Sequence, residues 1–339
     1  MVRIGIIGAT GYTGLELFRV LARHPEVEVA FLVSESQPGK RLSEVYPRVK
    51  GIGDRVLVSL SDARNIKVDV VFSCRAHKEA MALVPAFYER GIRVVDLSAD
   101  FRMDTAEEYS AWYDVPHTAP ELLKEAVYGL PEVYREQIVH ARLVGNPGCY
   151  PTAAILALAP LLEKRWIRAD DVVVDAKSGV SGAGRKLTLR THFVEANENI
   201  VPYNVGRAHR HTGEIEQELS KLAGEACSVV FTPHMVPINR GILTTVYAAL
   251  REDRSSEELT ALYKARYDPE PFVRVTEGVL PETKFVQETN FCDVAVQRVP
   301  GTRKVLAITA LDNLSKGAVG QAVQNMNVMC GIEETMGLL

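Results

Sequence analysis

The chain has 339 residues, 47% of them hydrophobic, which is enough for two domains with separate cores. A formal net charge of −4 leaves no basic footprint for nucleic acid, and no apolar stretch is long enough to suggest a membrane span. Five cysteines, scattered without a CxxC, exclude a disulfide framework and suit reduced thiols in a cytoplasm.

Val2 to Ile7 reads as a short buried strand running into Gly8-Ala9-Thr10-Gly11-Tyr12-Thr13-Gly14, and Leu15 to Arg23 as an amphipathic helix. Strand, glycine turn and helix in this order let backbone N–H groups at a helix N-terminus hold a dinucleotide pyrophosphate. The next strand, Val27 to Val33, ends at Ser34-Glu35-Ser36, where an acidic residue usually grips the ribose of NAD. Ser34 and Ser36, with Lys40 and Arg41 close by, favour the 2′-phosphate of NADP, while an inward Glu35 would favour NAD.

Val68 to Ser73, Ala80 to Arg90 and Ile92 to Leu97 continue the alternation of strand and helix, which predicts a doubly wound parallel sheet. Leu143 to Asn146 then leads to Gly148-Cys149-Tyr150-Pro151-Thr152 and an Ala/Leu-rich helix from Ala153 to Leu162. A cysteine at a helix start meets unpaired N–H groups and the positive end of the dipole, which favour the nucleophilic thiolate.

Beyond it the strands crowd together: 172–176, 227–232, 241–250, 272–275, 290–297 and 304–311 leave too little chain for a helix between each pair. A mostly antiparallel sheet with helices on one face is expected, closed by a helix over 318–329. Three segments look chemical. Lys177 to Arg185 is a Gly/Ser loop whose Ser178 and Gly179 are candidates to line the nicotinamide. His209 and His211 form a pair with no third ligand at metal spacing, so acid/base work is expected and no metal. The stretch 233–241 ends in Arg240-Gly241, a cation able to clamp a carboxylate or phosphate.

These motifs, with Ala99-Asp100-Phe101-Arg102, Tyr128-Gly129-Leu130-Pro131-Glu132 and Asp312-Asn313-Leu314-Ser315-Lys316-Gly317, resemble N-acetyl-gamma-glutamyl-phosphate reductases along essentially the whole chain. The resemblance implies a Rossmann-like domain (1–148 and 314–339) and a catalytic, dimerising α+β domain (149–313), as in glyceraldehyde-3-phosphate dehydrogenase. It implies Cys149 as nucleophile, His209 as general acid/base, and Gly8, Thr10, Gly11, Tyr12, Thr13, Gly14 and Asn313 at the NADP site. A homo-oligomer, dimer or tetramer, is implied as well.

The chemistry so implied is NADPH-dependent reduction of N-acetyl-L-glutamyl 5-phosphate through a thioester. An acyl phosphate carrying a carboxylate calls for cations, and Arg102, Arg185, Arg207, Arg240 and His211 are the candidates. Two positions depart from the family pattern: Ser73-Cys74-Arg75-Ala76-His77 stands where Leu-Pro-His-Gly is usual, and Gly213 where proline is common. Aspartate-semialdehyde dehydrogenase, a reductase of carrier-bound acyl phosphates and a non-catalytic NADPH sensor are the competing readings.

Overall fold

The computed structural model describes residues 1–339, which fall into two compact units: Met1–Pro147 with Ala318–Leu339, and Gly148–Gly317. No helix is long and apolar enough to cross a membrane.

The first unit is built on seven parallel strands: β1 (Val2–Ile7), β2 (Val27–Val33), β3 (Leu57–Val58), β4 (Val70–Ser73), β5 (Arg93–Asp96), β6 (Val127–Tyr128) and β7 (Leu143–Gly145). Their order is β3-β2-β1-β4-β5-β7-β6. Side chains alternate across a strand, and β1 accordingly feeds two separate cores. Ile4 and Ile6 join Phe18, Val323 and Met326, whereas Ile7 joins Val33, Phe87 and Leu143. The helix Gly320–Cys330, from the far end of the sequence, thus completes this unit. A sheet covered on both faces needs nearly continuous apolar strands, which is how β1, β2 and β4 read.

The second unit holds β8 (Ile167–Gly179), β9 (Val201–Pro202), β10 (Val229–Val236), β11 (Ile242–Leu250), β12 (Val273–Val275), β13 (Cys292–Arg298) and β14 (Lys304–Leu311). Their order is β12-β13-β14-β11-β8-β10-β9, with parallel pairing only at β8/β10 and β12/β13. Along β11 buried Ile242, Thr244, Val246, Ala248 and Leu250 alternate with more open residues, so one face is covered. β8 runs farther than its sequence suggests. Ser178 pairs with Ile242 and Gly179 with Val236, so partners on both sides carry Lys177, Ser178 and Gly179 into the strand instead of a loop.

The helix Cys149–Glu163 is buried from Tyr150 to Leu162 and packs on β11 and β14. Pro160 cannot donate to the Leu156 carbonyl, as the residue four places on normally would. The Tyr267 hydroxyl does so instead, at 2.6 Å, and Tyr263 likewise donates to the Ala157 carbonyl. Tyr267, at the end of the helix Ser256–Tyr267, thereby repairs the rung that proline removes.

Candidate active site

Gly148 caps the helix Cys149–Glu163 in an extended conformation and brings no capping side chain, so Cys149 is its first residue. Orphan donors of the first turn and the dipole face that end. The Gly148 N–H donates to Glu214 Oε1 at 2.8 Å, and Glu214 is fully buried in the first turn of the helix His211–Ala223. A carboxylate at a helix N-terminus is favoured by the dipole, and here it also fixes the peptide leading into the cysteine.

Glycines make room around Cys149 at two places. A Cβ on Gly148 would lie 2.6 Å from His211 Nε2, and one on Gly317 would lie 2.8 Å from Cys149 Cβ. Only glycine admits these approaches, which set the His211 imidazole against Gly148 and Gly317 against Cys149.

His209 sits in a cage of rings. Tyr150, Tyr203 and Phe231 present edges at 5.7, 5.4 and 5.3 Å between centroids, and the His211 ring lies at 4.9 Å. Burial there, with Arg210 adding to it, pulls the imidazole down to about 4. Its Nδ1 accepts the His211 backbone N–H at 3.1 Å, so in the neutral ring the hydrogen resides on Nε2. Tyr203 donates to Tyr150 Oη at 3.1 Å, and Tyr150 to the His234 carbonyl at 3.2 Å. Burial raises both phenols, Tyr203 to about 12.

Beyond this cage Asn313 joins two segments. Its Oδ1 accepts the Gly241 N–H at 2.7 Å and its Nδ2 donates to Ser181 Oγ at 2.9 Å. The neighbouring Asp312 is fully buried; it accepts Arg240 Nε at 2.8 Å and the backbone N–H groups of Leu314, Ser315 and Glu288.

In the first unit Gly8 turns the chain at φ +87°, and a Cβ there would meet the Cys74 carbonyl at 2.6 Å. Gly11 caps the helix Tyr12–Leu21 without a side chain, leaving its first-turn amides to an anionic ligand. Thr10 Oγ1 lies 3.0 Å from Ser34 Oγ, which in turn lies 3.4 Å from Ser36 Oγ. Glu35 is turned to Leu60, whose N–H it accepts at 2.9 Å. The loop therefore fits a dinucleotide, with hydroxyls at the ribose end.

Residues 3–141 match the semialdehyde dehydrogenase NAD binding domain, and residues 149–313 the semialdehyde dehydrogenase dimerisation domain. The N-acetyl-gamma-glutamyl-phosphate reductase of Symbiobacterium thermophilum is 53% identical over 339 residues, covering 100% of this chain and 97% of that protein. That of Desulforudis audaxviator is 52% identical over 343 residues, with 100% and 98% covered. The chain belongs to the N-acetyl-gamma-glutamyl-phosphate reductase family. Among solved structures, aspartate semialdehyde dehydrogenase II of Vibrio cholerae complexed with ASA superposes with a TM-score of 0.74 at 19% identity, covering 98% of each chain. Aspartate semialdehyde dehydrogenase of Candida albicans with NADP gives 0.74 at 17%, covering 97% and 99%. These distant relatives share the fold.

For a member of the N-acetyl-gamma-glutamyl-phosphate reductase family, the expected site residues divide between the two units. Cys149, His209, His211, Ser178, Gly179 and Asn313 lie in the second unit; Gly8 to Gly14, Ser34, Ser36 and Arg102 lie in the first. Arg207 holds Glu216 in a fork at 2.5 and 2.6 Å, Arg240 holds Asp312, and buried Arg102 donates to the Asn146 and Leu97 carbonyls. Arg185 stands exposed on the segment after β8. Sequence reading passed over Glu214, Asp312, Tyr150 and Tyr203. All four stand inside candidate motifs or next to one, Tyr203 at the start of the segment Tyr203 to Thr212 that carries the histidine pair, which is the available signal.

Proposed function

We propose that this protein reduces N-acetyl-L-glutamyl 5-phosphate to N-acetyl-L-glutamate 5-semialdehyde with release of phosphate, using NADPH, as a step of arginine biosynthesis. The full-length relatives carry that name, and the residues around Cys149 supply the chemistry. The Cys149 thiolate adds to the acyl carbon, the C–O bond to phosphate breaks, and a thioester to Sγ remains. When bound, the dinucleotide supplies the hydride that takes this thioester to the aldehyde level. Backbone N–H groups of the helix start are placed to hold the oxyanion, which collapses and returns the electron pair to Sγ.

The observation that carries this reading is the approach of His211 Nε2 to Gly148, the residue before the nucleophile. We assign His211 the proton of Cys149. His209, low in pKa and with Nδ1 occupied, instead positions His211 and can donate from Nε2. The proposal exchanges the roles that resemblance implies for the two histidines. Arg102 and Arg185 are proposed as cations for the anionic substrate; Arg207 and Arg240 hold carboxylates of their own chain.

NADP is the proposed dinucleotide, supported by the hydroxyls of Ser34 and Ser36 and by the outward engagement of Glu35. A homodimer is proposed because the second unit matches a dimerisation domain. The test is NADPH oxidation with N-acetyl-L-glutamyl phosphate and with aspartyl phosphate side by side. Preference for aspartyl phosphate refutes the substrate assignment.

A further inference from the structure

Between β8 and β9 the chain leaves the second sheet as an arm whose two ends are fastened beside the site. At one end Asn313 Nδ2 donates to Ser181 Oγ at 2.9 Å; at the other, β9 pairs with His234 and Met235 and delivers Tyr203 to the ring cage. Within the arm Thr188 and Thr191 close a 3-10 turn, with their hydroxyls 2.9 Å apart and the Thr191 N–H on the Thr188 carbonyl at 3.2 Å. Arg190 rides on this turn, and its guanidinium lies 5.8 Å from the centroid of the Tyr203 ring.

The charge of Arg190 is uncommitted. Arg207 and Arg240 hold Glu216 and Asp312, but Arg190 has neither a carboxylate nor a hydrogen-bond acceptor of its own chain, only the ring. Arg165 and Arg303 are likewise without an ion pair, yet they stand at the far ends of the helix Cys149–Glu163 and of β14, about 20 Å of element away from the Cys149 end. Cation–π attraction holds a guanidinium without using its N–H donors, which stay available to an anion.

We propose that Arg190 is a specificity-determining residue that binds the α-carboxylate of the N-acetylglutamyl chain, an assignment that rests on the reductase reading and adds a third cation to Arg102 and Arg185. Position selects the carboxylate over the phosphate. The phosphate is joined through one oxygen to the carbon that Sγ attacks, so its cation must stand against Cys149. The α-carboxylate lies four carbon–carbon bonds farther, about 5 Å, and calls for a cation set back from the sulfur. Burial falls off in that direction: Tyr150, next to Cys149, is buried, Tyr203 is half-buried and Arg190 is exposed. Burial raises the Tyr203 phenol, the charge of Cys149 adds to the rise and that of Arg190 opposes it, which puts this hydroxyl within electrostatic reach of both.

The experiment runs the reaction in reverse, where the two anions arrive on separate molecules. N-acetyl-L-glutamate 5-semialdehyde brings the carboxylate, and inorganic phosphate is a separate substrate beside NADP⁺. Arg190→Gln is expected to raise the KM for the semialdehyde by about 10- to 100-fold, the scale of a lost charge-assisted hydrogen bond, and to leave the KM for phosphate as it is. Arg190→Lys is expected to recover part of the affinity, because it restores the charge without the fork. The second readout is 4-acetamidobutanal, the same aldehyde without the carboxylate. Wild type is expected to favour the semialdehyde over it in kcat/KM, and Arg190→Gln to lose about 10- to 100-fold of that preference. Because Arg190 is exposed, the variants are expected to melt with the wild type. A wild type that does not oxidise the semialdehyde refutes the reductase reading, and the proposal falls with it. With an active wild type, an unchanged KM for the semialdehyde in Arg190→Gln overturns the proposal alone, as does a raised KM for phosphate. Equal losses on both aldehydes do so too, since they make Arg190 a support for Tyr203 and not a reader of the substrate.

Discussion

His211 Nε2 stands so close to Gly148 that a methyl group on that glycine would lie 2.6 Å from it. Gly148→Ala must therefore push the imidazole away while leaving the helix start intact. We expect kcat to fall about 100-fold, as for a small displacement of a reacting group, with the NADPH dissociation constant unchanged. Gly317→Ala, whose Cβ would meet Cys149 Cβ at 2.8 Å, should act the same way on the nucleophile. Steady-state kinetics with a fluorescence titration of cofactor check both; undiminished kcat in the pair would dissociate these contacts from catalysis.

The ring cage makes a prediction about acid stability. His209 titrates at about 4 in the folded protein and near 6.5 when unfolded. Because the folded pKa is the lower one, the unfolded chain binds more protons below pH 6.5. Stability is complete above that pH and is lost as pH falls toward 4, by up to about 3 kcal/mol. Denaturant unfolding across this window should show the loss, and His209→Phe should flatten it. Asparagine variants separate the histidines kinetically. His211→Asn should remove an ionisation from the kcat/KM profile, whereas His209→Asn should lower the rate without removing one.

The elements that sequence made legible are those whose chemistry is local. A strand running into Gly8 and Gly11 before a helix, and a cysteine before Pro151 and an Ala/Leu run, are patterns of neighbouring residues. So is the alternation along β11. What stayed hidden is set by partners far along the chain. β3 and β6 have two residues each, too short for any periodicity, and exist because β2 and β7 lie beside them. Nothing local tells that Arg240 meets Asp312 through its Nε, and Tyr203 acquires its place only by reaching Tyr150. Glu214 sits one turn beyond His211 in the sequence, yet nothing local says its carboxylate turns back to Gly148.

Arg240, paired with Asp312, is predicted to contribute to stability. Removing its guanidinium by Arg240→Ala leaves the buried Asp312 carboxylate without its cation, which typically costs about 3–5 kcal/mol. Denaturant unfolding should report that loss, and Arg240→Lys should recover only part of it because a lysine cannot reproduce the separate Nε and Nη2 bonds to Asp312 and Ser315. A variant as stable as wild type but with raised KM would return Arg240 to the substrate.

Tyr267→Phe tests the helix that carries Cys149. Without the hydroxyl, the Leu156 carbonyl opposite Pro160 has no donor and is buried, so unfolding free energy should drop by about 1–3 kcal/mol. A drop within experimental error would mean that the interrupted ladder needs no repair.

At the cofactor loop, Ser34→Asp sets a carboxylate where the 2′-phosphate is proposed to bind. Repulsion should raise the KM for NADPH and shift preference toward NADH, measurable as the ratio of kcat/KM for the two dinucleotides. An unaltered ratio would remove Ser34 from cofactor selection.

The most direct test of the thioester is the release of phosphate from N-acetyl-L-glutamyl phosphate when no NADPH is present. The account predicts a rapid burst approaching one phosphate per Cys149, an acyl adduct on the peptide bearing that residue, and neither in Cys149→Ser. Phosphate release that waits for NADPH, or an adduct on a residue other than Cys149, would contradict it.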